Sequence, residues 1–479
     1  MRGVIIAGTH SGCGKTTVTL GILAALVRRG LRVQSYKAGP DFIDGGLHSL
    51  VTGRPSRNLD LWMCGEEYVR TCYVRHSTDA DFSVVEGVMG FYDGSLSTAL
   101  LSSVLNLPVL LVVDAYGMAE SAGAVVHGFQ HYGKTVGSGA RILGVVFNRV
   151  GSDRHLARLK AGVHDITVMG HLPADVTFAI PHRHLGLTVA EESPLSPAAV
   201  TKLAEAIERH VDITGVMMRA EPGAIYSRGV HPTEEHDNSI VAAQTKVRIA
   251  VARDKAFCFY YEDNLDLLKD AGAEIVAFSP LDDAALPEDL DGIYFGGGYP
   301  ELHASRLAEN EPMRRAVRSW AEKGNPIYAE CGGLMYLSRG IFDTGGSCFE
   351  MARVFPFLTR MKKGRAQLGY REVTLTSDCP IAGQGDTLRG HEFHYSEIIP
   401  ESNVGEVSKV YSVRDQSGQT LPAEGYMTRN SLASYMHLHF GSNIEAPKRL
   451  VHFMRNLKET KTATSGVEVQ KQCTKGGNT

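Results

Sequence analysis

The stretch Gly8-Thr-His-Ser-Gly-Cys-Gly-Lys-Thr-Thr17 constrains this chain more than any other feature. It follows a short apolar run, Gly3–Ala7, and opens a helix-like segment, Thr16–Arg29. A glycine-rich turn between strand and helix aims successive backbone amides and a helix N-terminus at one concavity, a cradle for phosphate. In that cradle Gly12 and Gly14 let the backbone close around the anion. Lys15 reaches the outer phosphates, the Thr16 hydroxyl is placed to ligand Mg²⁺, and Thr17 completes the nucleotide-binding turn. The spacing departs by one position from the usual phosphate-loop pattern: Thr9 stands where the first glycine is expected, and Gly8 comes one residue early.

The following segments extend this unit into a sheet. Strands are expected at Leu31–Tyr36, Phe82–Glu86, Pro108–Val113, Arg141–Phe147 and Val168–Leu172, with helical stretches such as Ala119–Gln130 between them. Alternation of this kind predicts a parallel sheet with helices on both faces. From Ser193 to Lys246 the pattern decays among prolines and a charged run, which reads as a helix followed by an interdomain linker. A second α/β series begins at Val247–Val251 and continues through Glu274–Phe278, Gly292–Phe295 and Pro326–Ala329. Beyond Phe342 the spacing turns antiparallel and loop-rich. The expected organisation is therefore a phosphate-binding domain over 1–192, helix and linker over 193–246, a second α/β domain over 247–452, and a disordered polar tail over 453–479.

With 479 residues, 43% of them hydrophobic, the chain can fill two cores. Its formal net charge of −4 gives no electrostatic case for nucleic acid or an anionic membrane. No apolar run is long enough for a membrane helix. Eight cysteines without a CxxC pair point to reduced thiols and a cytoplasmic location, not to disulfides or zinc.

Ligands of open parallel sheets bind at the carboxyl ends of the strands. Three polar residues fall there: Asp41, in Lys37-Ala-Gly-Pro-Asp41; Glu86, ending its strand; and Asn148, where an amide can read adenine. Asp41, Glu86 and Thr16 form the expected Mg²⁺ set, since magnesium on phosphates takes one or two carboxylates.

A second reactive constellation lies downstream. Pro326-Ile-Tyr-Ala-Glu-Cys-Gly-Gly-Leu-Met-Tyr336 places one cysteine on a sharp strand-to-helix turn, nucleophile-elbow geometry in which the helix N-terminus is expected to lower the Cys331 pKa. The upstream turn Gly296-Gly-Gly-Tyr-Pro-Glu301 can orient amides toward a developing oxyanion. Gly297, Gly298 and Gly332 are the candidate donors. His437 and His439, in Ser434-Tyr-Met-His-Leu-His-Phe440, are the candidate bases.

Together with Lys37–Asp44, Thr52–Asp60, Glu86–Gly94 and Arg183–Leu187, these motifs resemble the cobyrinic acid a,c-diamide synthase family over about residues 1–452. The phosphate turn has the spacing of dethiobiotin synthetases. The resemblance implies an ATP-binding domain of that type joined to a class I-type glutamine amidotransferase domain. ATP would activate a substrate carboxylate as an acyl phosphate. Cys331 would release ammonia from glutamine through a thioester, and ammonia would pass inside the protein to the activated carboxyl. Family members lack the acidic third residue of other class I triads, and the position two after His437 is His439. Alignment with the Tyr-x-His of related cobyric acid synthases selects His437 as base. The expected substrate is a tetrapyrrole: cobyrinic acid, with hydrogenobyrinic acid and nickel-sirohydrochlorin as alternatives, since Phe42 and Gly45-Gly46 depart from the family pattern. The reading of another class is a phosphate-loop switch carrying an inactive amidotransferase domain. A homodimer is the candidate assembly.

A macrocycle rich in carboxylates needs cations near the phosphate site. Asp44, His48, Arg54 and Arg57 lie in the loop that follows Asp41 and form the candidate substrate set. Arginine suits carboxylates because its planar fork donates two parallel hydrogen bonds. Its bland alternative here is a surface or interdomain ion pair.

Overall fold

The run Gly3–Gly8 forms β1 with every residue buried, the signature of a central parallel strand covered on both faces. The computed structural model describes residues 1–174, 195–220, 246–364, 366–399 and 407–475, the last fifteen as backbone alone. Two compact units divide at residues 235 and 236.

In the first unit, β2 (Val33–Ala38), β3 (Arg57–Leu59), β4 (Phe82–Glu86), β5 (Val109–Asp114), β6 (Ile142–Val150) and β7 (Val168–Pro173) join β1 in the order β3-β2-β4-β1-β5-β6-β7. Every pairing is parallel. The chain leaves β1 leftward to β2 and leaves β4 rightward to β5, so the ends of β1 and β4 flank the point where winding reverses. Helix α1 (Lys15–Arg28) covers one face, burying Val18, Leu20, Ile22, Leu23 and Leu26.

The segment read as helix and linker contains two helices, Pro197–His210 and Ile213–Arg219. Both pack into the first unit's core: Leu203, Ala204, Ile207, Ile213 and Val216 are buried beside residues of α1. Ile207 lies so close to Gly21 that an added Cβ there would meet its side chain at 2.5 Å. Their 3.6-residue apolar period, not the surrounding prolines, decides where they belong. Residues 221–245, and the Arg183–Leu187 motif, lie outside the described residues.

The second unit opens with β8 (Val247–Ala252), β9 (Ala273–Phe278), β10 (Gly292–Phe295) and β11 (Ile327–Glu330). Three short strands, β12 (Gly340–Phe342), β13 (Cys348–Glu350) and β14 (Leu358–Met361), form a small sheet with β17 (Ser396–Ile399). The main sheet is completed by β15 (Gln367–Leu375), β16 (Thr387–His394), β18 (Ser408–Asp415), β19 (Thr420–Thr428), β20 (Ser431–Ser434) and β21 (Met436–Leu438). Its order is β21-β16-β15-β18-β19-β20-β11-β10-β8-β9. The half from β9 to β20 is parallel, and the rest is antiparallel.

The expected disordered tail is corrected in part. A closing helix runs Glu445–Lys475. Met454 is buried under Gly292, and Lys458 pairs with Asp291 at 2.9 Å. These contacts anchor the helix past residue 452. Among the described residues no helix is long and apolar enough to cross a membrane.

Candidate functional site

The phosphate turn sits where β1 feeds α1. Gly14 adopts φ 97°, and a Cβ there would lie 2.0 Å from the Asn148 side-chain nitrogen. Only glycine fits both the left-handed backbone and that close approach. Asn148 Nδ2 donates to the Cys13 carbonyl at 3.0 Å, so one N–H of this amide braces the turn while the second N–H and the oxygen remain for a ligand. Lys15 Nζ donates to the carbonyls of Met89, at 2.5 Å, and His10, at 3.3 Å, which holds its head over the loop.

Glu86 ends β4 beside β1, in register with Ile6 and Lys37. Its Oε1 accepts from Thr16 Oγ1 at 2.7 Å and from Lys37 Nζ at 3.1 Å, and its Oε2 lies 2.7 Å from His48 Nε2. Burial alone would raise its pKa. The Lys37 charge and the His48 and Thr16 hydrogen bonds outweigh that and hold Glu86 well below the usual carboxylate range. Asp44 Oδ2 takes the other side of Lys37 at 2.7 Å. Burial and the Glu86 charge push Asp44 upward. Asp41 caps α2 (Phe42–Thr52), accepting from the amides of Ile43 and Asp44. A hydroxyl and an ionised carboxylate within hydrogen-bond reach of each other, beside a phosphate cradle, are donors that suit Mg²⁺.

The substrate set does not stay together. His48 is fully buried and spent on Glu86, so it supports the carboxylate and cannot meet a macrocycle. Arg54 forms a fork onto Asp79, with contacts of 2.7 and 3.0 Å, and its Nε donates to Gln34. Gln34 stands three residues before Lys37 on β2, about 13 Å from the strand's carboxyl end at Ala38. Arg54 therefore belongs to the edge opposite the phosphate turn, and its expected substrate contact is withdrawn. Arg57 is 8% exposed and pairs in register with Tyr36. Only Asp44 retains a place beside Glu86 with partial exposure. Lys37, which joins Glu86 to Asp44, has one signal in the sequence, a lysine near the carboxyl end of a strand.

In the second unit three parallel strand ends converge. β10 leads into Gly296–Gly298, β11 into Cys331, and β20 into Tyr435 and His437, with Glu330 in register with Ser434. Cys331 adopts φ 45° and ψ −101°, and its amide donates to the Ser434 carbonyl at 2.7 Å. A non-glycine residue held there stores about 1–3 kcal/mol of strain, as a nucleophile elbow does. The expected lowering of its pKa is corrected: burial, aided by the Glu301 charge, pushes the thiol well up. The helix behind it, Gly332–Leu337, has only six residues, and its N-terminus does not offset that desolvation.

Gly297 is also corrected as an oxyanion donor. Its amide donates to the Phe259 carbonyl at 3.1 Å, and its carbonyl accepts from the Phe259 amide at 3.0 Å. Gly298 and Gly332 remain as the pair: a Cβ on Gly332 would stand 3.1 Å from the Gly298 nitrogen. Gly297 serves by being small, because a Cβ there would lie 2.2 Å from His437 Cε1. Burial holds the His437 imidazole down to about 3, so it is neutral and able to accept a proton. Its ring stacks on His391 at 4.8 Å. His439 Nδ1 accepts from the Gly441 amide at 3.0 Å, capping a short turn, and its ring packs on Tyr261. Glu330, unremarked in the sequence because a carboxylate next to a cysteine has no local signature, lies 3.9 Å from His437 Nδ1.

Two family models match the chain: the CobQ/CobB/MinD/ParA nucleotide binding domain over residues 4–187, and the CobB/CobQ-like glutamine amidotransferase domain over residues 248–444. Full-length relatives are similar throughout. The cobyrinate a,c-diamide synthase of Syntrophotalea carbinolica is 44% identical over 94% of this chain and 98% of its own. That of Priestia megaterium is 42% identical over 96% and 98%, and that of Salmonella typhimurium 42% over 94% and 97%.

Proposed function

The chain belongs to the cobyrinate a,c-diamide synthase family, and from that premise we propose that it amidates the a- and c-acetate carboxylates of cobyrinic acid in cobalamin biosynthesis, with glutamine as nitrogen donor and ATP as activator. It is a glutamine-dependent, amide-forming ligase with a nucleotide-binding domain and an amidotransferase domain.

The observation that carries the reading is Cys331, strained at φ 45° on a strand-to-helix elbow, with the neutral His437 ring against Gly297. In the proposed glutaminase half-reaction Cys331 passes its proton to His437 as sulfur attacks the glutamine amide carbon. The amides of Gly298 and Gly332 hold the oxyanion. His437 returns the proton to the leaving nitrogen, so ammonia departs and a thioester remains. Water, deprotonated by His437, then releases glutamate.

In the synthetase half-reaction the substrate carboxylate attacks the outer phosphate of ATP, breaking its bond to the middle phosphate and releasing ADP, and ammonia then displaces phosphate from the acyl phosphate, losing a proton to form the amide. Lys15 stabilises the outer phosphates. Thr16 and Glu86, with Asp41, would hold Mg²⁺, which supplies charge neutralisation on the phosphates. Lys37 keeps Glu86 ionised for that task. Asp44, beside Lys37 and partly exposed, is the remaining candidate for contact with the substrate.

The test is turnover by the purified chain with ATP, Mg²⁺, glutamine and each of three macrocycles: cobyrinic acid, hydrogenobyrinic acid and nickel-sirohydrochlorin. The expected result is a diamide of cobyrinic acid, with ADP and glutamate formed in step with each amide. Preferential turnover of either other macrocycle would replace the substrate. Absence of glutamate release with every ligand would favour the regulatory-switch alternative.

A further inference from the structure

The glutaminase reading leaves a gap, because the position two after the base holds His439, not an acid. The protonated imidazole formed during acyl transfer then lacks the carboxylate that orients it in Ser-His-Asp-type sites. The fold brings a different carboxylate to that place. Glu330 ends β11 immediately before the nucleophile, and its Oε2 lies 3.9 Å from His437 Nδ1. Both side chains are buried, at 1% and 2% exposure.

We propose that Glu330 is the positioning residue of this glutaminase, turning its carboxylate to the imidazolium that His437 becomes. The inference rests on the glutaminase reading above and deepens it. Three observations support the arrangement. The two oxygens of Glu330 are held from elsewhere: Oε1 accepts from Tyr328 Oη at 2.7 Å and from the Leu438 amide at 3.1 Å, and Oε2 accepts from Tyr294 Oη at 3.1 Å. The Leu438 bond ties the carboxylate to the residue next to His437. The His437 ring has its Cε1 against Gly297, and Nδ1 is the ring nitrogen nearest Glu330. A separation of 3.9 Å exceeds a hydrogen bond, and such catalytic contacts shorten when the charged form appears. At rest the imidazole is neutral. When it takes the Cys331 proton, a full positive charge faces a carboxylate between two buried side chains. No atom moves to Glu330; the proton stays on His437 until the leaving nitrogen takes it.

The ionisable surroundings give this role a pH signature. Tyr294 from β10, Tyr328 from β11, Tyr411 from β18 and Tyr260 surround Glu330, and burial pushes all four phenols well up. On the His437 side stand His391, His394 and Glu392 of β16, with burial lowering His391 and Arg371 and His394 holding Glu392 down. Burial pushes Glu330 itself up to about 7, against the hydrogen bonds of Tyr328, Tyr294 and Leu438. Activity that needs the ionised carboxylate is present above that value and falls as pH drops through it.

The experiment measures glutamate release and ammonium-driven amidation in the full chain across pH 5.5–9, as an approximate range spanning the unperturbed and raised carboxylate values. For Glu330→Gln the expected glutamine-dependent kcat falls by about 10²-fold or more. KM for glutamine should stay nearly constant, the limb near neutrality should vanish, and ammonium-driven amidation should persist. Glu330→Asp should recover part of the loss. Tyr294→Phe and Tyr328→Phe, which remove donors that favour the ionised form, should move the limb to higher pH, and they keep the test open if Glu330→Gln does not fold. A Glu330→Gln enzyme with near wild-type kcat, or a limb unmoved in all these variants, overturns the inference. Retained glutamine use by Cys331→Ala would instead overturn the glutaminase reading.

Discussion

Replacing Gly297 with alanine tests the architecture of the thiol site while leaving every reacting group in the sequence. Gly297 is not among the glycines at positive φ, so alanine is conformationally admissible there. Its two hydrogen bonds with Phe259 run through the backbone and survive the change. The new Cβ would stand 2.2 Å from His437 Cε1 and 3.2 Å from both ring nitrogens. Carbon–carbon contacts settle near 3.5–4.0 Å, so the ring must retreat by about 1 Å or more. The stacked His391 ring, 4.8 Å away and itself buried, resists that movement. A misplacement of about 1 Å in a catalytic group costs on the order of 10² in rate. Glutamine-dependent kcat of Gly297→Ala should therefore drop by about 10²-fold, while ammonium-driven amidation and ATP use are retained. Steady-state glutamate release, with an ammonium-driven control on the same preparation, reads both. A variant that keeps glutaminase activity within about threefold would refute the reasoning, since a base that tolerates such displacement is not held as argued.

Other substitutions address the remaining parts. Cys331→Ala should abolish glutamine-driven amidation and leave synthesis from ammonium. His437→Ala should mimic it at a cost of about 10² or more, and a greater catalytic loss in His439→Ala would transfer the role of base. Lys15→Ala and Glu86→Ala should stop amidation from either nitrogen source, because charge stabilisation and metal positioning carry most of phosphoryl transfer; surviving ATP-to-ADP turnover would count against both roles. Arg54→Ala should leave the macrocycle KM unchanged and lower stability by at most about 1 kcal/mol, the scale of a partly exposed ion pair. Kinetics beside thermal unfolding of that variant check this, and a selective rise in macrocycle KM would restore Arg54 to the substrate site.

Local chemistry made much of the site legible in the sequence. The turn from Gly8 to Thr17 and the elbow around Cys331 each need consecutive residues, so strand, glycine and reactive side chain appear together in the chain. Fully buried parallel strands such as β1 and β10 also declare themselves as unbroken apolar runs. The helices Pro197–His210 and Ile213–Arg219 carry no local sign of their unit, because what assigns them to it is packing against distant elements, the first against α1 and the second against β6 and β7.

Tertiary structure alone decided which partner each polar group takes. The Gly297 amide was lost to the oxyanion because Phe259 arrives opposite it. Arg54 was drawn to Asp79, and His48 to Glu86, by strands that neighbour one another only in the folded sheet. The Cys331 thiol was raised, not lowered, because desolvation in a closed core exceeds what a six-residue helix supplies. Glu330 meets His437 because β20 pairs with β11 and the chain then continues into β21. A sequence sets the reactive groups and the local turns that display them. Hydrogen bonds and charges act over a few ångströms, so their pairing waits until distant strands have been brought that close.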